Sequence, residues 1–216
     1  MKYAINMPTS LRAAIKELGP YIRDDELSYR IKSYDGLLVR EALGNWLVCA
    51  VLNDRNSDHD RYTFTTEPRD GPGADGAILD KTTGEALAAE HVMVAKRRDG
   101  QRPQESAEQL VLALVEKKLA KGGAAYASGK ALVVYLDADV AGYSPRALRE
   151  HLPADLAFEA VWLVVPQAGR WDYDVVFLGG QALDPPTYRV SIMEAFDDWT
   201  VTRLPWPPVV ASVCRA

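Results

Sequence analysis

The sequence predicts an α/β fold, a mixed central sheet flanked by helices with further strands toward the C-terminus. Three observations carry that expectation. Helical runs alternate with short β-rich runs through the first two thirds of the chain, as in the helix LLVREALGNWLVCAVL and the strand KALVVYL. Several strand-like runs are apolar on both faces, which marks central strands and not a sheet with one wet face. After residue 136 the pattern turns to strands and turns: Phe158 to Val165, Tyr173 to Leu178, YRVSIM and WTVTRL.

The 216 residues suit one domain, 1–216, that buries a core without cross-links. No stretch approaches the roughly 18 uninterrupted apolar residues of a membrane span. The N-terminal MKYAINMPTSLRAAIKEL lacks a signal-type apolar core and runs into a helix pattern, so a cytoplasmic protein with no membrane association is expected. Two cysteines, Cys49 in an apolar helical run and Cys214 in the tail, provide neither a disulfide framework nor a cysteine metal cluster. The net charge of −5 excludes a broad basic face for nucleic acid, so any such contact is local. Two groups qualify: Lys96, Arg97 and Arg98 with Arg102, and Lys117, Lys118 and Lys121 at a helix end, where lysines also complement the dipole.

Taken in order, Thr9 or Ser10 caps a helix through Leu18, and Gly19-Pro20 is expected to stop it. A second helix, about Leu37 to Leu52, is apolar nearly all round and therefore buried. Glu41 is its exception, with Leu37, Leu38, Gly44 and Asn45 one turn away. A carboxylate there is costly unless it is hydrogen-bonded, paired with Arg40 or Arg61, snorkelling at the margin, or bound to a metal. NDRNSDHD is a polar loop, and Arg61 to Thr66 alternates as a strand. Gly71, Gly73 and Gly76 spell G-x-G-x-x-G, but strand, turn and strand follow where a dinucleotide site needs a helix, so that cofactor is rejected.

GPGADGAIL opens a strand at Asp75, DKTTGE forms a hairpin-like turn, and ALAAEHVMVAK is a central strand. Ala86, Ala88, Glu90, Val92, Val94 and Lys96 share one face of it, which makes Glu90 a buried carboxylate in need of partners. Ser106 with Gln109 forms a capping box for a helix closing at Gly122, and Lys130 to Leu136 is the next strand. Ser144-Pro145 starts a short helix through His151. LPWPPVV reads as a strap across the core or a polyproline docking segment. His59, His91 and His151 show no zinc spacing, and no nucleophile elbow or phosphate loop is present. Asp137 and Asp139 follow a strand and serve as turn formers or a separate acidic site.

Helix with Glu41, strand, strand opening at Asp75, strand with Glu90, helix, strand: this order resembles the restriction-endonuclease-like, or PD-(D/E)XK, nuclease superfamily over about 37–136, with 137–216 as an extension. GADG resembles that family's P-D-G, and Glu90 takes its acidic position. Glu90-His91-Val92 carries valine where the motif has lysine, and Lys96, six residues on, lies about 20 Å away along the strand. The resemblance implies a Mg²⁺ ion held by Asp75 and Glu90, with Glu41 as the extra acid some members bring from the first helix. It further implies Asp75 and Glu90 as catalytic residues, phosphodiester hydrolysis, and nucleic-acid contacts from Lys96, Arg97, Arg98 and Arg102. The alternative is a noncatalytic interaction or assembly module on the same fold, bound to a protein partner or to copies of itself. An unrelated fold would leave Asp75 and Glu90 on strands that are not neighbours.

Overall fold

A computed structural model describes residues 10–23, 32–34, 37–57, 60–65, 75–95, 104–138, 142–153, 156–167, 171–179 and 184–205. The architecture is α/β with a mixed eight-stranded sheet, as expected, and a separate two-stranded ribbon of β1 (Lys32–Tyr34) and β2 (Leu37–Leu38). The large sheet contains β3 (Tyr62–Thr65), β4 (Ala77–Asp80), β5 (Ala86–Val94), β6 (Lys130–Leu136), β7 (Ala160–Pro166), β8 (Asp172–Phe177), β9 (Thr187–Ile192) and β10 (Trp199–Arg203). Its order is β10-β9-β8-β7-β6-β5-β4-β3. The helices are α1 (Leu11–Arg23), α2 (Val39–Arg55), α3 (Ala107–Leu119), α4 (Gly123–Ala127) and α5 (Pro145–His151). By contact the chain divides into two compact units, 1–90 with 192–201, and 91–191 with 202–216. The boundary falls inside β5, within the stretch 37–136.

In the first unit α1 begins where Ser10 Oγ accepts the Ala13 N–H, so serine is the cap. The helix does not stop at Gly19-Pro20; it continues to Arg23. Leu11, Ala14, Ile15, Leu18, Gly19 and Ile22 form one buried stripe that carries past the proline. Pro20 has no N–H to give the Lys16 carbonyl, and both residues are exposed. Gly19 is a close-approach glycine, not a cap. A Cβ built there meets Phe196 Cγ at 2.7 Å and Phe196 Cβ at 2.9 Å. Gly19→Ala should therefore destabilise by about 1–3 kcal/mol through overpacking, against the roughly 1 kcal/mol gain that alanine brings in an open helix. Urea unfolding of the variant reads the sign directly.

α2 begins within two residues of its expected start and lies almost wholly in the core. At its C-terminal end Asn53 clamps the start of β3: its Nδ2 donates to the Tyr62 carbonyl at 2.9 Å and its Oδ1 accepts the Tyr62 N–H at 2.6 Å. β3, β4 and β5 form an antiparallel meander in the registers Phe64↔Ile78 and Ile78↔Leu87. The β4–β5 turn is built on Asp80, which accepts the Thr82 N–H at 2.9 Å on its side chain and the Gly84 N–H at 2.8 Å on its carbonyl. Arg61 grips the same carboxylate through Nε at 3.0 Å and Nη2 at 2.7 Å, which lowers its pKa to about 2.

The second unit is built on β6 and β7, parallel neighbours joined through α5 and buried along nearly their whole length. β7, β8 and β9 then run antiparallel. Leu132, Val134, Leu136, Leu148, Leu163 and Val165 are fully buried there with Val111 and Val115 of α3. Each contributes about 1.5–3 kcal/mol of burial free energy. Ser106 and Gln109 exchange the expected capping bonds at 3.2 and 2.9 Å, and Ser144 Oγ accepts the Ala147 N–H at 3.2 Å. The short α4 after Gly122 is an addition to the sequence reading. LPWPPVV beyond Pro205, with Cys214, lies outside the described residues.

Candidate metal and phosphodiester site

Asp75 lies two residues before β4, and Glu90 stands in the middle of β5, the strand that pairs antiparallel with β4. The Asp75 N–H donates to the Ala89 carbonyl at 2.8 Å, and the Ala89 N–H donates to the Gly76 carbonyl at 2.8 Å. Two residues, Asp75 and Gly76, thus oppose one, which is the bonding pattern of a β-bulge. Gly76 sits at φ +111°, a region that glycine reaches and β-carbons resist. Sequence and structure meet here: the glycine permits the bulge, and the bulge makes Asp75 the extra residue at the strand's start. Such irregularities re-aim side chains at the ends of strands.

Glu90 is 2% exposed and Asp75 half-buried. Ala89, Glu90 and His91 are buried in succession, so β5 is covered on both faces, as a central strand should be. Removing an ionised carboxylate from water this completely demands compensation by hydrogen bonds, a cation or a proton.

Glu41 lies on the third residue of α2, where its Oε2 accepts the Leu38 N–H at 3.1 Å. Leu38 has no side-chain cap to offer, so Glu41 satisfies a donor at the helix start and sits favourably at the positive end of the dipole. Its Oε1 is 3.5 Å from Arg40 Nη2. Of the alternatives open for this carboxylate, the pairing with Arg40 is present; Arg61 is engaged by Asp80. Among the described residues no three His, Cys, Asp or Glu side chains are grouped to share a metal ion. Backbone pairing puts Asp75 opposite Ala89, the residue before Glu90. Lys96, Arg97, Arg98 and Arg102 lie outside the described residues, as do Asp139 and His59.

Asn45 is the residue that sequence reasoning passed over. It stands one turn beyond Glu41 on α2, is fully buried, and its Nδ2 donates to the Asp75 carbonyl at 3.3 Å. Its signal was a carboxamide amid ALGNWLVCAV, noted only as a neighbour of Glu41. In the second unit a buried aspartate also went unmarked. Asp174 of β8 is 0% exposed, pairs with Arg189 directly across on β9, and accepts a bond from the Tyr143 hydroxyl at 3.4 Å. Alternate acids in DYDVVF facing the arginine of TYRVSI were its trace.

Cys49 is buried, and burial pushes its thiol far up, so it is a core residue and not a reactive one. Among the described residues no helix is long and apolar enough to cross a membrane. A scan against protein-family models and a search of curated proteins each find no match to this chain.

Proposed function

We propose that the chain is a divergent Mg²⁺-dependent nuclease-like protein that hydrolyses phosphodiester bonds, with Asp75 and Glu90 as its catalytic and metal-holding carboxylates. The observation that carries this reading is the backbone pairing of the bulge at Asp75 and Gly76 with Ala89, the residue before Glu90. The order α2, β3, β4, β5, α3, β6 supports it, because it follows the restriction-endonuclease-like pattern that the motif resembles. The donors are all oxygen, the chemistry that Mg²⁺ selects, and one or two carboxylates with water and phosphate suffice for that ion. When bound, a divalent cation lowers the pKa of water and neutralises phosphate charge. Asp75 and Glu90 hold it, with Glu41 as an additional acid, and Lys96, Arg97, Arg98 and Arg102 contact the phosphates of a nucleic acid locally.

A second reading, a noncatalytic interaction or assembly module on the same fold, is favoured by two observations. Glu41 is engaged at Leu38 and Arg40, and Val92 occupies the place of the motif lysine. Valine can neither position water nor stabilise the charge that develops on phosphorus.

The discriminating experiment incubates plasmid and single-stranded DNA and RNA with the wild type and with the Asp75→Ala, Glu90→Ala double variant, in Mg²⁺ or Mn²⁺. The nuclease reading expects metal-dependent cleavage that disappears in the folded variant. No cleavage by the wild type moves the function to the module.

A further inference from the structure

Asn45 is a polar residue in a part of α2 otherwise made of apolar core residues. Ala42, Leu43, Trp46, Leu47, Val48 and Cys49 around it are all buried. Its amide nitrogen is assigned by the bond to the Asp75 carbonyl, since only the NH₂ end can donate to that acceptor. The other end, Oδ1, is buried and has no hydrogen-bond partner among the described residues. Burying an acceptor in this condition costs about 1–3 kcal/mol, which a leucine of similar size would have avoided. Buried polar atoms of native proteins are satisfied by protein, water or a bound group, so this oxygen marks a place where a donor or a cation belongs. Oδ1 shares its carbon with the nitrogen that touches Asp75. It therefore lies beside the backbone of the bulge that carries Asp75.

We propose that Asn45 Oδ1 is a third, uncharged oxygen donor to the divalent cation held by Asp75 and Glu90. This rests on the metal-site reading above. A carboxamide oxygen is a normal donor to hard cations. Being neutral, it adds no further like charge to the carboxylates that hold the ion. The same side chain has a second task, because its Nδ2 bond holds the backbone of the bulge residue in place. A site with oxygen donors only also favours Mg²⁺ or Mn²⁺ over metals that prefer imidazole or thiolate.

The test is calorimetric titration of Mn²⁺ into the wild type, Asn45→Leu and Asn45→Asp, with the metal-free melting temperature of each recorded. Asn45→Leu preserves size and removes both the oxygen and the Nδ2 bond; it should bind Mn²⁺ about 10–100-fold more weakly. Asn45→Asp also gives up the Nδ2 bond but keeps an oxygen, so it should bind more tightly than Asn45→Leu. A purely structural asparagine would shift both melting temperatures and leave the two variants with equal affinity. Affinity of Asn45→Leu within twofold of wild type overturns the inference and leaves the metal site standing, with a buried water as the oxygen's partner. Should the leucine variant not fold, an aspartate variant that binds no more tightly than Asn45→Ala overturns it as well. A wild type that binds no Mn²⁺ removes the metal-site reading and this inference with it.

Discussion

Replacing Arg189 by leucine should destabilise the protein by about 3–5 kcal/mol, more than removing its partner's charge. Asp174 is fully buried, whereas 29% of the Arg189 side chain is exposed. Without the guanidinium, which grips Asp174 through Nε and through Nη2 at 3.2 Å, the carboxylate remains in the core with only the long bond from Tyr143. An uncompensated buried charge is what makes breaking such pairs costly. Asp174→Asn leaves a neutral acceptor in place and lets Arg189 turn toward water, so a loss of about 1–2 kcal/mol is expected.

The pH dependence gives a second signature. Burial pushes the Asp174 carboxyl above its ordinary value, and the bonds from Arg189 and Tyr143 pull it back without cancelling that effect. A folded-state pKa above the unfolded one means that the folded chain holds the proton more tightly. The contribution of this group is then full below the ordinary carboxylate pKa and declines as pH rises through the raised value. Loss of Arg189 raises that value further. The deficit of Arg189→Leu relative to wild type should grow from acidic to neutral pH in urea titrations. A deficit that shrinks over that range would refute the assignment.

The other large effect belongs to Trp46, for which substitution by alanine should cost about 3–5 kcal/mol. The indole is fully buried on α2, packs edge-on against Trp199 with ring centroids 5.0 Å apart, and donates its N–H to the Leu11 carbonyl at 2.8 Å. It thereby ties α1, α2 and the 192–201 segment of the first unit together. Trp46→Phe retains most of the packing but not the donor, so it should lose about 1–2 kcal/mol, with the difference from alanine measuring the cavity. Because the chain forms two compact units, the loss should appear in the transition that reports on Trp199 by fluorescence.

Local chemistry made much of this fold legible. The Ser106–Gln109 box and the Ser144-Pro145 start mark their helices because the capping bonds are made within four residues, and the apolar run Lys130–Leu136 is β6 to the residue. What failed to show was set by distant partners. Gly19-Pro20 reads as a stop, yet the missing β-carbon is needed by Phe196, which no local pattern reveals. At the site, the antiparallel pairing of β4 with β5 follows from the hairpin between them, which puts Asp75 before one strand and Glu90 on the other. Asn45 was hidden because a single amide in an apolar helix gains meaning only once the Asp75 backbone is seen against it. Asp174 and Arg189 were hidden likewise, since facing residues on paired strands depend on register and not on spacing.

Whether Asp75 and Glu90 together hold a divalent cation decides between the two functions. Calorimetric titration of Mn²⁺ into the wild type and the folded Asp75→Ala, Glu90→Ala variant tests this most directly. Saturable binding in the wild type that is absent from the variant is the predicted result. Binding that is equal in both, or absent from the wild type, would contradict it and leave the buried Glu90 as a structural acid.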